Sequence, residues 1–148
     1  MKGSGFAELL ENGQLKYIRS GTRTRREGIL FAGMSYVNQY LRSPFLFRVM
    51  NKRFVFTELS YPFLPSVAIH KDTTVEELRH FFRAMRDNQS VVLCLHGVLH
   101  QQEGDYEKRF NWDYESFEGL LKFLKNENRI NVRTTAQIVD NALNRSTK

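Results

Sequence analysis

Val91-Val92-Leu93-Cys94-Leu95-His96-Gly97-Val98 opens with five apolar residues in a row and breaks at a histidine and a glycine. A strand with one wet face alternates apolar and polar residues, whereas a strand covered on both faces has no need to. Residues 91–95 therefore read as a short buried strand ending at His96-Gly97, and such a strand needs a layer of structure on each side. Cys94 lies inside it as a small buried hydrophobe. It is the only cysteine, which excludes an internal disulfide.

The flanking sequence supplies those layers. Upstream, Asp72-Thr73-Thr74 offers N-caps, with Glu76 and Glu77 placed for a capping box. Val75, Leu78, Phe81, Phe82 and Met85 follow at helical spacing. Downstream, Gln101 to Asn111 is a polar loop, and Asp113 caps a helix with the stripe Phe117, Leu120, Leu121 and Leu124, ending near Asn128. Ile130-Asn131-Val132-Arg133 reads as a strand. Thr134 and Gln137 then form a capping box for a last helix carrying Ile138, Val139, Ala142 and Leu143.

Toward the start the pattern is less regular. Phe6, Leu9 and Leu10 share a helical face up to Asn12-Gly13, Leu15 to Arg19 is a short strand, and Ser20-Gly21-Thr22 breaks it. From Arg23 to Met50, Gly28 and Gly33 interrupt the apolar residues and Ser43-Pro44 marks a boundary. This stretch reads as a long loop with a helical piece from Ser35 to Leu41. Arg53 to Leu59 is rich in β-formers, and Pro62 and Pro65 enforce an extended connection after it. Strand and helix alternate, which implies an α/β fold with mostly parallel strands. With 148 residues, 41% of them hydrophobic, the chain is expected to be a single domain.

No stretch reaches the roughly 20 apolar residues of a membrane span, and no apolar core of a secretion signal follows Met1-Lys2-Gly3-Ser4-Gly5, so a soluble chain is expected. The formal net charge of +6 favours acidic partners. Arg19, Arg23, Arg25 and Arg26 form the densest basic cluster. It is either a binding surface for nucleic acid or an acidic glycan, or a solvated basic loop.

Ligands of parallel α/β folds bind where strands end. His96 stands there beside Gly97, which would let a substrate or backbone approach. The histidine is either a general acid or base or a residue bonded into the turn. Arg19 ends the first strand in the same way. His100 follows His96 at the spacing of a helical zinc pair, but the two flank a post-strand segment and no carboxylate cluster completes a shell. His70 and His80 stand alone, as surface or packing residues. Trp112 either stacks on a sugar ring or covers a core edge.

The run ending in Leu95-His96-Gly97-Val98 resembles the last signature of the polysaccharide deacetylases, the NodB-homology family of carbohydrate esterases. Trp112, the helix around Phe117 to Leu121 and Val132-Arg133-Thr134-Thr135 are similar to that family's closing segment. Tyr17-Ile18-Arg19-Ser20 resembles its arginine-bearing strand, with Gly21-Thr22 where the family usually has proline and an aromatic residue. The resemblance implies the C-terminal half of an irregular (β/α) barrel. It implies that His96 protonates a leaving amine, that Leu95 lines an acetyl pocket and that Arg19 orients a catalytic aspartate. In complete members a divalent metal, often zinc, activates water against an N-acetyl or O-acetyl group of a carbohydrate. The aspartate and histidine pairs that hold this metal have no counterpart here. The expectation is a partial barrel without metal ligands, inactive alone, whose exposed edge is met by self-association or by a missing N-terminal half.

Overall fold

The computed structural model describes residue 12 and residues 18–20, 25–57, 63–101 and 111–146. Its elements are β1 (Ile18–Ser20), α1 (Arg25–Leu41), α2 (Pro44–Asn51), a 3₁₀ turn (Lys52–Phe54), β2 (Phe63–Ala68), α3 (Val75–Arg83), β3 (Val92–Cys94), β4 (Gly97–Leu99), β5 (Asn111–Asp113), α4 (Tyr114–Asn126) and α5 (Thr135–Ser146). The α/β alternation expected from the sequence is present, and every paired strand is parallel to its neighbour. The strands form two small sheets, β1-β2-β3 and β4-β5, and no closed barrel exists among the described residues.

The three-stranded sheet is staggered. β1 pairs with Phe63 to Pro65 and β3 with Ser66 to Ala68, so Pro65 closes one ladder and Ser66 opens the next. Proline lacks the N–H a ladder uses, and a handover between two ladders is where a middle strand tolerates one. The strand expected over residues 53–59 is replaced by the 3₁₀ turn and an isolated antiparallel bridge from Phe56 to Ser90, with residues 58–60 outside the description. Phe54 turns inward to the core instead of continuing an extended run.

The helical piece expected over Ser35 to Leu41 is present as the second half of α1, and the rest of the stretch expected as loop is helical as well, in the first half of α1 and in α2. Ser43 caps α2 by accepting from the Leu46 N–H at 3.4 Å, with Pro44 in the first turn, so the boundary at Ser43-Pro44 stands. What hid α1 is its composition: apolar side chains occupy its outer face as well as its inner one, which flattens the periodicity a helix normally shows. The residues expected to form a strand at 130–133 pair with no strand, and Val132 is 69% exposed. The expected first helix, near residues 6–10, lies outside the described residues.

The capping boxes expected from the sequence hold. Thr74 accepts from Glu77 N–H at 3.1 Å while the Glu77 carboxyl accepts from Thr74 N–H at 2.7 Å. Thr134 and Gln137 exchange the same pair of bonds at the start of α5. The core gathers Phe47, Phe54, Val67, Ile69, Leu78, Phe81, Trp112, Leu120 and Phe123, so β2 is clamped by α2, α3 and α4. Phe47 meets Phe81 edge-on and Phe82 stacks on Phe123. No helix among the described residues is long and apolar enough to cross a membrane.

Candidate functional site

The carboxyl ends of β2 and β3 lie side by side. Ala68 pairs with Cys94, and the ladder continues as Ile69 N–H donates to the Cys94 carbonyl at 3.0 Å. Two residues past that pair, beyond the ends of β2 and β3, stand His70 and His96. Parallel strands are about 4.8 Å apart, so the backbones of His70 and His96 leave the same edge of the sheet from neighbouring strands. His96 is exposed and His70 half-buried. The sequence alone left His70 among surface or packing residues. Its place becomes visible only once β2 is located at 63–68.

His96 is anchored by the strand it leaves: its Nε2 lies 3.7 Å from the Cys94 sulfur. Leu95 is half-buried against the core cluster. Gly97 makes room for a neighbouring side chain. A Cβ there would run into the Asn111 side-chain oxygen, because Gly97 and Asn111 are partners in the β4–β5 ladder.

Trp112 is 1% exposed and donates its indole N–H to the Thr73 carbonyl at 2.7 Å. Of its two sequence readings, the core edge is the one the structure gives, since no ring face is open to a sugar. Thr73 in turn donates its N–H to the His70 carbonyl at 2.9 Å and accepts the His70 N–H on its hydroxyl at 3.1 Å. Trp112 therefore fixes the turn that presents His70.

Arg19 pairs through its backbone with Leu64, level with the start of β2, whereas His96 lies beyond its end. The separation along the strand axis is roughly 20 Å at 3.3 Å per residue, so the backbone does not bring Arg19 up to His96. Arg25 and Arg26 open α1 and Arg23 lies outside the described residues, so the basic cluster is not one loop.

His96 and His100 are separated by β4, which removes the helical spacing a zinc pair would use. His100 packs against Tyr114, the ring centroids 4.4 Å apart and the planes tilted, and places Nδ1 3.5 Å from a Glu115 oxygen. Among the described residues no three His, Cys, Asp or Glu side chains converge as a metal shell. Asp113 ends β5 and caps α4, accepting from the Ser116 N–H at 2.8 Å. Partial burial alone would push its carboxyl up. The bond from Ser116 N–H, with the side chains of Glu115, Ser116 and Gln101, outweighs that and holds it below the ordinary value.

Compared with known proteins, the chain matches no protein-family model, no curated protein and no solved structure.

Proposed function

We propose that this chain is a polysaccharide deacetylase-like domain that carries the leaving-group side of an acetyl-hydrolysing site and lacks the metal-bearing side. The observation that carries the reading is the exposed His96 just past the carboxyl end of β3, beside the strand end that His70 follows. An imidazole there delivers a proton to a departing amine nitrogen as the C–N bond of an N-acetyl sugar breaks. The three-residue stagger across β2 supports membership of a barrel, because closing a sheet requires tilted, offset strands. The outer edges of the three-stranded sheet are where a companion segment or a second copy would add strands.

The chain alone is expected to bind no stoichiometric zinc and to release no acetate from N-acetylglucosamine oligomers. It is expected to bind those oligomers weakly, with NMR shifts in the His96 and His70 imidazoles that His96→Asn abolishes. One tightly bound zinc per chain would overturn the reading. So would oligomer-induced shifts confined to the shallow depression of Asn131, Val132, Arg133, Gln137 and Asp140. Light scattering is expected to show self-association; a compact monomer counts against the open edge. The competing reading is a basic module for nucleic acid or an acidic glycan. It requires binding that weakens steeply with salt and is lost on replacing Arg23, Arg25 and Arg26.

A further inference from the structure

The outer faces of α1 and α2 form a surface that the deacetylase reading does not use. On α1, Ile29, Leu30, Tyr36, Val37, Tyr40 and Leu41 are all exposed. At about 100° per residue they fall within roughly 140° of one another, a single stripe along the helix. The opposite arc, Phe31, Met34, Ser35 and Asn38, is the one turned to the protein, half-buried or buried. The face left in water is thus more apolar than the face packed inside, the reverse of an ordinary amphipathic helix.

The next helix adds exposed residues of its own. Phe45, Arg48, Val49 and Lys52 line the outer side of α2 and the turn after it. Tyr36, Tyr40 and Phe45 are 64%, 69% and 63% exposed. At about 150–250 Å² per aromatic side chain they alone present roughly 400 Å². The aliphatic residues take the surface beyond the largest patch of an ordinary monomer, about 300–600 Å².

Charge selects the occupant. Residues 28–57 contain no aspartate or glutamate, although the chain has 16, and carry Arg42, Arg48, Lys52 and Arg53. Arg42 is engaged with Asp72. Arg48 and Lys52 are exposed within the apolar stripe of α2. A second copy docked by a two-fold axis would set these cations against their own kind. A protein groove would be expected to offer both signs at its rim, whereas here only one sign is on offer. Helix faces are convex and hold no pocket for a peptide side chain. A continuous, fluid, anionic surface needs none, and it matches both the apolar stripe and the single sign of charge.

We propose that the α1–α2 outer face binds peripherally to membranes containing anionic phospholipid, with Tyr36, Tyr40 and Phe45 at headgroup depth and Arg48 and Lys52 against lipid phosphates. Flotation of the full chain with phosphatidylcholine vesicles, with and without a third phosphatidylserine, tests this. Binding is expected only to the anionic vesicles. Arg48→Gln with Lys52→Gln should lower partitioning roughly 30-fold, at about fivefold per basic residue near the surface. Tyr36→Ser with Tyr40→Ser should lower it at least tenfold while leaving the thermal transition in place, since both side chains are exposed. Tyr40→Trp supplies an insertion probe, because the single native tryptophan, Trp112, is buried; its emission should shift to the blue on anionic vesicles only. Equal binding to both vesicle types, or to neither, overturns the proposal. A lipid-free dimer that the tyrosine substitutions dissolve also overturns it, in favour of a second copy.

Discussion

Gly97 shows how one residue's missing side chain makes room for a neighbour from a distant part of the chain. The sequence suggests that it permits a close approach beside His96; the structure shows the approach is made by Asn111 from the parallel strand β5. Gly97→Ala is therefore expected to cost about 1 kcal/mol in urea unfolding, the usual scale for a tight contact that must give way. Asn111→Ala in the same chain should recover most of it, a coupling that a double-mutant cycle measures. Additive losses would mean that the glycine serves its own backbone. Trp112 carries a similar lesson, since nothing in its local sequence distinguishes a sugar platform from a core residue. Its burial and its bond to Thr73 depend on β5 pairing with β4 across residues 102–110.

At the scale of elements, helices announced by a capping residue followed by a clear apolar stripe were legible; α2, although Ser43 caps it, was not. Thr74/Glu77, Asp113 and Thr134/Gln137 place the starts of α3, α4 and α5 because a side chain bonding its own backbone is a local event. α1 gives no such signal. Its glycines and its two apolar faces make it look like a loop, and only the packing of Asn38 against Glu77 and Ser43 shows where its inner side lies. The strands at 63–68 and 97–99 were missed because pairing is decided by distant partners. Asp113 allows a test at this scale. Its carboxyl is held below the ordinary value in the folded chain, so its contribution is complete above that value and is lost as pH falls through the lowered one. Asp113→Ala is expected to cost about 1 kcal/mol at neutral pH and to reduce the loss of stability on going toward pH 3. Asp113→Asn should keep the cap and remove that part of the pH dependence, as urea midpoints at the two pH values would show.

For the whole molecule, the α/β class and the parallel sense of the strands follow from the alternation of elements. The arrangement into two small sheets does not, because it depends on where ladders stop. The candidate site was half legible. His96 sits at a strand tip as its sequence context implies, while His70 joins it only through the register of β2 and β3.

The proline at the centre of β2 carries a kinetic consequence. The pairing of β2 with β3 closes over α3 alone, whereas the pairing with β1 must enclose both α1 and α2; the longer closure is costlier in chain entropy. With the two ladders meeting at Pro65 instead of overlapping, the first strand can detach without unzipping the second. Native-state amide exchange should therefore resolve two opening events, with Leu64 losing its protection at lower free energy than Val67 and Ile69. Release of all three in one concerted step would show that the middle strand opens as a unit.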